Sequence, residues 1–179
     1  MSAAERGEPD VRLEAWGPGD LPLLKRILGD PVMTEHIGGP ESDEKLADRQ
    51  EKYERIVQDG AGQMFKIIDG QTGKPAGSVG YWTKEWRDDT VFEAGWFVLP
   101  EFQGRGIAQR ATELMIGEAH RDGRHRYLHA FPSVENPPSN GIPRRLGFTL
   151  LGEMDFEYPP GHMMRCNDWR LDLAEQSTE

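Results

Sequence analysis

Two glycines, Gly104 and Gly106, follow an apolar and aromatic stretch that ends at Pro100. Glycine lets a backbone turn tightly from a strand into a helix, and the free N–H groups of the first helical turn then face one point. Such a helix start favours anions, phosphate groups above all. The turn lacks the Gly-Lys-Ser/Thr of a P-loop, and Gln109 stands where a Gly-x-Gly-x-x-Gly motif has its third glycine. By itself it indicates either an anion site of another kind or a plain structural turn.

The sequence around this turn resembles a known signature. The run Gln103-Gly104-Arg105-Gly106-Ile107-Ala108 is similar to the Gln/Arg-x-x-Gly-x-Gly/Ala signature of the GNAT superfamily of acyl-CoA N-acyltransferases. Glu93-Ala94-Gly95-Trp96 and Pro100 resemble the strand entering it in the branch similar to ribosomal-protein N-terminal acetyltransferases. About 30 residues further on, Asn136-x-x-Ser139-x-x-Ile142-x-x-Arg145-Leu146-Gly147-Phe148 resembles the Asn-x-x-Ser…Leu-Gly-Phe stretch of the same branch. Two motifs in the right order are far more specific than one.

The resemblance implies direct transfer of an acyl group, usually acetyl, from coenzyme A to an amine. It implies that N–H groups of the glycine turn hold the pyrophosphate, that a splayed strand edge pairs with the pantetheine, and that Asn136 hydrogen-bonds the same arm. The helix dipole would add to the attraction for the phosphates. The cofactor-binding residues carried over are Phe97, Val98, Gln103, Gly104, Arg105, Gly106, Ile107, Ala108 and Asn136.

Two residues are candidates for the catalytic chemistry. An alkyl amine is almost wholly protonated at pH 7, so a base or a water relay must remove a proton before it attacks. Glu93 is either that base, as the resemblance implies, or a half-buried acid bonded to neighbouring backbone. Ser139 stands where many family members have a thiolate-protonating tyrosine, so it either serves the sulfur or only caps a helix. Because Pro143 breaks helical hydrogen bonding, this helix either begins late, near Asn140, or is distorted beside Ser139.

The elements that position these residues alternate between strand and helix signals. Periodicity and turn residues predict strands at 11–15, 64–68, 76–82, 91–98, 127–131, 148–154 and 164–173, and helices at 19–28, 42–60, 107–119 and 136–146. This order predicts a mixed α/β sheet. The resemblance, covering residues 11–173, implies a single GNAT-like α/β (α+β) domain whose central sheet is mostly antiparallel, with flanking helices and a splayed strand pair holding acyl-CoA. We interpret residues 1–10 and 174–179 as flexible tails.

The composition restricts the partners. The 179 residues include 31 acidic and 21 basic side chains, a net charge of −10. Residues 100–148, which hold both motifs, carry +2 and the remaining 130 residues carry −12. An acidic chain is unsuited to a nucleic-acid backbone and suits a cationic acceptor. Within the basic window, four arginines are candidates for the cofactor's phosphates: Arg105, Arg110, Arg144 and Arg145.

Other features exclude further classes of protein. No apolar run approaches the roughly 18 residues of a membrane span, and residues 1–10 lack the apolar stretch of a signal peptide. The single cysteine, Cys166, cannot form an internal disulfide, which favours a reducing cytoplasm. The five histidines show no metal-ligand spacing, and we expect no metal.

The sequence therefore predicts a cytoplasmic, acetyl-CoA-dependent N-acetyltransferase that acts on a primary amine, either a protein N-terminus or a small molecule. The acceptor would lie near residues 35–42 and 156–163, with Tyr158 able to reach the site. Two rivals stay open: a non-catalytic acyl-CoA-binding sensor or scaffold, and a plain nucleotide-binding module. Dimers are frequent among similar proteins, so the resemblance allows a homodimer.

Overall fold

The computed structural model describes residues 7–176, so the outermost predicted tail residues, 1–6 and 177–179, lie outside the described range. The strands are β1 (Val11–Ala15), β2 (Gly62–Asp69), β3 (Pro75–Trp86), β4 (Asp89–Val98), β5 (Tyr127–Ala130), β6 (Thr149–Glu157) and β7 (Met163–Asp172). The α-helices are α1 (Leu21–Leu28), α2 (Asp43–Arg55), α3 (Ile107–Asp122) and α4 (Pro137–Arg145). The predicted order of elements is confirmed, and β3 and β4 are longer than predicted.

All seven strands join one sheet in the order β1-β2-β3-β4-β5-β7-β6. Every neighbouring pair is antiparallel except β4 and β5, which run parallel. The parallel pairing joins only Phe92 to Leu128 and Glu93 to His129, after which residues 94–98 of β4 leave β5. The predicted mixed, mostly antiparallel sheet with a splayed strand pair is therefore confirmed, and the gap begins directly after Glu93.

Helix α3 connects the far end of β4 to β5. Gly106 caps its start with φ 77° and Gly123 caps its end with φ 68°, left-handed values that glycine adopts without strain. Its buried face, which includes Ile107, Ala111 and Met115, packs on the sheet against β1, β3 and β4. This packing fixes the start of α3 beside the open edge of β4.

Helix α4 resolves the alternatives left open by Pro143. The helix begins at Pro137, not late, and continues through Pro143. The buried Asn140 amide holds it in place by donating to the carbonyls of Ser133 (2.8 Å) and Asn136 (2.9 Å). Its Oδ1 accepts from the Trp169 indole at 2.9 Å, which ties α4 to β7. These bonds compensate for the helical hydrogen bond that a proline cannot donate.

Helices α1 and α2 flank residues 35–42, which the sequence predicted to lie near the acceptor. Ser42 caps α2 by accepting from the Lys45 N–H at 3.3 Å. The helix ends at Arg55, whereas the sequence predicted an end near Gly60, and residues 56–60 form turns instead. Val57, which lies within the predicted helix, is 62% exposed and follows the end of α2.

Candidate active site

The open edge of β4 presents peptide groups to the gap. The Leu99 N–H donates to the Ala76 carbonyl at 2.8 Å, and hydrogen-bonding direction alternates along a strand. The peptide groups of Trp96 and Val98 therefore face the gap, while those of Phe97 face β3. The Gln103 amide donates to the Val98 carbonyl at 2.9 Å. Of the two residues predicted to pair with an extended ligand, only Val98 directs its N–H into the gap.

The glycine turn adds a cluster of donors at the end of this edge. Gly104 and Gly106 have φ of 75° and 77°, and the N–H groups of residues 104–109 have no backbone acceptor in the described part of the chain. A Cβ on Gly104 would meet nothing within 4 Å, so the space in front of the turn is open. Buried Ile107 and half-buried Ala108 offer N–H groups there rather than polar side chains. The turn thus fits a phosphate ligand.

The arginines around this turn are already engaged. Arg105 donates to the buried Asp69 carboxylate at 3.2 Å and to Gln71 at 3.0 Å. Although burial acts in the opposite direction, the hydrogen bonds from Thr72 and Arg105 hold the pKa of Asp69 below its usual range. Arg110 forms ion pairs with Glu8 (3.2 Å) and Glu113 (2.8 Å). Arg105 therefore anchors the turn to the end of β2, a role that the sequence did not indicate.

Two further arginines of the basic window lie elsewhere. The Arg144 guanidinium lies over the Trp169 ring, 5.4 Å from its centroid, and the Arg145 side chain lies against Gly141 of its own helix. Both positions are on α4.

Glu93 lies at the last paired position before the gap. Its Oε2 accepts from the Trp82 indole at 3.0 Å and lies 3.6 Å from the Lys84 ammonium. The Trp82 ring packs over Gly95, and a Cβ at position 95 would lie only 2.8 Å from Cη2 of Trp82. Burial raises the pKa of Glu93, and Lys84 and Trp82 only partly oppose this. Its partners are side chains, so the alternative of an acid bonded to neighbouring backbone does not describe it.

A buried histidine–aspartate pair lies beside Glu93. The Nδ1 of His129 lies 2.6 Å from Asp168 Oδ1, and the Trp86 indole donates to Asp168 Oδ2 at 3.2 Å. Sheet register places His129 directly opposite Glu93. The sequence analysis did not identify Asp168. Its neighbours Asn167 and Arg170 are also polar, so no local pattern marked it.

Asn136 and Ser139 occupy the first turn of α4. The Asn136 Oδ1 caps the helix by accepting from the Ser139 N–H at 3.3 Å. Within residues 7–176, neither the Asn136 NH2 group nor the half-buried Ser139 hydroxyl has a hydrogen-bond partner, so both remain available to a ligand. Cys166 is buried, and burial together with the charge of Glu93 raises its pKa to about 11, so it is a thiol and not a nucleophile at neutral pH.

Two loops meet where the sequence placed the acceptor. Tyr158, just after β6, accepts a hydrogen bond from Arg49 of α2 at 3.0 Å, and Arg49 also pairs with Glu41. A Cβ on Gly38 would lie 2.5 Å from Pro159. A cavity of about 510 Å³ lies between the segments that follow α1 and β6. Burial raises the pKa of Tyr158, so its hydroxyl stays protonated at neutral pH.

The described residues lack a membrane-spanning helix and a metal-binding cluster. Between residues 7 and 176, no helix is both long and apolar enough to cross a bilayer. Over the same range, no three His, Cys, Asp or Glu side chains are grouped so that they could hold a metal ion.

Comparison with known proteins adds one family match, one relative by sequence and two by structure. Residues 10–149 match the family described as acetyltransferase (GNAT) domain. The L-methionine sulfoximine/L-methionine sulfone acetyltransferase of Pseudomonas aeruginosa is 28% identical over 142 residues, which cover 77% of this chain and 80% of that protein. The RimL ribosomal L7/L12 alpha-N-protein acetyltransferase, solved with coenzyme A, superposes with a TM-score of 0.75 at 23% identity over 90% of this chain and 93% of its own. Spermidine N-acetyltransferase of Vibrio cholerae, solved with CoA and spermine, gives 0.76 at 18% identity over 92% and 96%.

Proposed function

This chain belongs to the GNAT acetyltransferase family, and from that premise we propose that it acetylates a small primary amine at the gap between β4 and β5. Membership confirms the resemblance carried by the two motifs, and with it an N-acetyltransferase that uses acetyl-CoA. The rival interpretation as a non-catalytic sensor gains no support. The identity of the acceptor and the roles of individual residues are the proposal.

The observation that carries the proposal is the position of Glu93. It is the last β4 residue paired to β5, so its carboxylate stands at the mouth of the gap whose far end is the glycine turn. A linear ligand that has its phosphates on the turn and its arm along the open edge of β4 would present its reactive end near Glu93. Burial raises the pKa of Glu93, which makes its carboxylate a stronger base than an exposed glutamate.

Transfer then needs three contributions from the protein. Glu93 takes a proton from the acceptor ammonium, and the neutral nitrogen attacks the thioester carbonyl carbon. The Trp96 N–H, which faces the gap three residues beyond Glu93, donates to the oxyanion that develops as the C–N bond forms. The C–S bond then breaks, the attacking nitrogen loses its second proton, and the departing thiolate takes up one proton. The Ser139 hydroxyl, which has no hydrogen-bond partner within residues 7–176, is the candidate group to relay that proton by donating to the sulfur and accepting from the nitrogen side.

The loops around the site favour a small acceptor over a protein N-terminus. The segment before α2 and the segment after β6 touch through Gly38 and Pro159 and through the Arg49–Tyr158 hydrogen bond. This closure narrows the approach to Glu93 for a folded protein. The 28% identical relative is named for acetylating two amino-acid derivatives, which also supports a small acceptor.

A thiol-release assay tests this function. Purified protein, acetyl-CoA and one amine at a time would be followed for free coenzyme A, with mass spectrometry of the product. The panel comprises α-amino acids, methionine sulfone, polyamines, amino sugars and N-terminal peptides. We expect release only with small amines and a product 42 Da heavier, the mass that acetylation adds. Release with peptides alone, or with no amine on the panel, would overturn the proposal.

Two earlier predictions remain proposals. The single cysteine, which is buried, supports a reducing compartment such as the cytoplasm. The resemblance allows a homodimer, and sedimentation of the purified chain would measure the assembly.

A further inference from the structure

The Lys84 side chain lies in an unusual environment next to Glu93. Its ammonium is surrounded by three aromatic rings, with Nζ 4.7 Å from the centroid of Phe156 and 5.8 Å from those of Trp86 and Phe131. Its one charged neighbour at short range among the described residues is Glu93, at 3.6 Å. We call these four residues, Lys84, Trp86, Phe131 and Phe156, the lysine cage.

The hydrogen-bonding capacity of this ammonium is unused. It carries three N–H donors, yet among residues 7–176 none lies within 3.5 Å of an acceptor, and the 3.6 Å contact with Glu93 is longer than an ordinary hydrogen bond. The rings attract the positive charge through their faces but supply no oxygen or nitrogen acceptor. Because 24% of the side chain is still exposed, its donors can reach a ligand in the site. Held beside Glu93 by the three rings, the ammonium is placed to donate to an anionic group of a ligand.

We propose that Lys84 binds a carboxylate of the acceptor, so that the enzyme acetylates the amine of α-amino acids or close analogues. This inference rests on the proposed function and names the class of acceptor. In an α-amino acid, one carbon separates the amine from the carboxylate, and the Glu93–Lys84 pair offers a negative and a positive group equally close together. The acceptor ammonium lies on Glu93 and its carboxylate on Lys84, an arrangement in which every neighbouring charge is opposite.

The other explanation is that Lys84 only holds Glu93 in place. The Glu93 carboxylate is already held by a 3.0 Å hydrogen bond from Trp82, so its position does not depend on the Lys84 ammonium at 3.6 Å. The nearby His129 and Asp168 are paired with each other and are not available to Lys84. The cage also fixes Lys84 on three sides, which prepares it for binding and is more than a counter-ion requires.

The carboxylate itself is the variable to change. L-methionine sulfone and its carboxamide have the same side chain and the same amine, but the amide replaces the carboxylate by a neutral group. The amine of a carboxamide is the more easily deprotonated of the two, so any preference for the free acid must come from recognition. We expect kcat/KM for the acid to exceed that for the amide by about tenfold or more, the size of one charge-assisted contact.

Removal of Lys84 tests whether this residue causes the preference. In Lys84→Met the acid-to-amide ratio should fall about tenfold, and Lys84→Arg should retain part of it. Lys74→Met, which changes an exposed lysine just before β3, is the matched control and should keep the ratio. If Lys84→Met lowers both rates equally, Lys84 only positions Glu93 and the inference is wrong. A wild-type enzyme that acetylates amines without preferring the acid would also overturn it.

A binding measurement separates this inference from the proposed function. Calorimetric titration of L-methionine sulfone and its carboxamide into protein saturated with coenzyme A requires no turnover. Tighter binding of the acid, lost in Lys84→Met, supports carboxylate recognition even if no amine is acetylated. Equal binding of acid and amide contradicts it even if acetylation is observed. Protection of Lys84→Met against thermal unfolding by coenzyme A confirms that the variant is folded.

Discussion

The two ends of the site are built from different parts of the chain. The cofactor end consists of peptide groups between Trp96 and Ala108, one continuous segment that passes from the open edge of β4 through the glycine turn. The acceptor end consists of side chains from five strands, among them Lys84, Glu93 and Asp168. Because peptide groups bind the cofactor, most side-chain substitutions at the cofactor end should preserve binding, except at the glycines. Because side chains form the acceptor end, substitutions there change the groups that contact the acceptor. One fold can thus keep a cofactor and vary its acceptor.

The largest expected effect is on the chemistry at the acceptor end. Glu93→Gln should lower kcat/KM for the amine by about 10²–10⁴-fold because the base is lost, with little change in KM for acetyl-CoA. Burial raises the pKa of Glu93, and the base acts only when ionised, so wild-type activity should rise with pH through that pKa. The variant should lose this rise. The measurement is kcat/KM between pH 5 and 9.

The matched control is Glu85→Gln, at an exposed glutamate on the adjacent strand, which should leave the profile intact. If Glu93→Gln kept the rising limb, a different group would be the base.

The second-largest effect should distinguish cofactor binding at the glycine turn from the stability of the fold. Gly104→Ala and Gly73→Ala both place a methyl group in open space at φ of 75° and 70°. Each should lower the free energy of unfolding by about 1–2 kcal/mol through backbone strain. Only Gly104→Ala, which lies in the phosphate turn, should raise KM for acetyl-CoA, by about tenfold. An equal rise in both variants would mean that strain, not the site, is responsible. Urea unfolding and initial rates provide the two measurements.

Asp69→Asn tests the anchor of the glycine turn. The loss of the ion pair with Arg105 should lower the free energy of unfolding by about 1–3 kcal/mol at pH 7 and raise KM for acetyl-CoA severalfold. Because the folded-state pKa of Asp69 is lowered, its contribution is present above the unfolded-state pKa, about 4, and is lost as the pH falls through the folded-state value. The stability difference between wild type and variant should therefore shrink below about pH 4, as measured by urea titrations. A difference that stays constant there would refute the ion pair as its cause.

The smallest effect should arise at the loops over the acceptor. Tyr158→Phe removes the acceptor of the Arg49 hydrogen bond and should raise KM for the amine by about threefold, in keeping with one hydrogen bond between side chains. The value of kcat should stay the same, because Tyr158 contacts the loops and not the sulfur in this proposal. A large fall in kcat would instead identify Tyr158 as the proton donor.

The sequence predicted the cofactor end more fully than the acceptor end for a physical reason. The left-handed φ values at positions 104 and 106 favour glycine, so the turn can be recognised from one short stretch of sequence. No comparable local sequence pattern marks Lys84 or Asp168. They come together with Glu93 only because the sheet order places β7 beside β5 and β5 beside β4, which local periodicity does not determine.

Local signals also failed where distant contacts decide the structure. The early end of α2 at Arg55 and the survival of α4 through Pro143 both run against the expected patterns. In α4 the decisive contacts are those of Asn140 with Ser133 and Trp169, residues on other elements. The kinds of elements and their order were nonetheless predicted, because they follow from periodicity within each segment.

The short parallel pairing of β4 with β5 also divides the backbone hydrogen bonding of the sheet into two parts. Within residues 7–176, the backbone ladder between the four-stranded half of the sheet, β1 to β4, and the three-stranded half, β5 to β7, contains only two residue pairs. Amide hydrogen exchange should therefore distinguish two cooperative units that open independently, with the β5–β7–β6 amides exchanging as one group. A ligand bonded along the free edge of β4 bridges these units, and slower exchange across both halves would be the signature of a sheet that it completes.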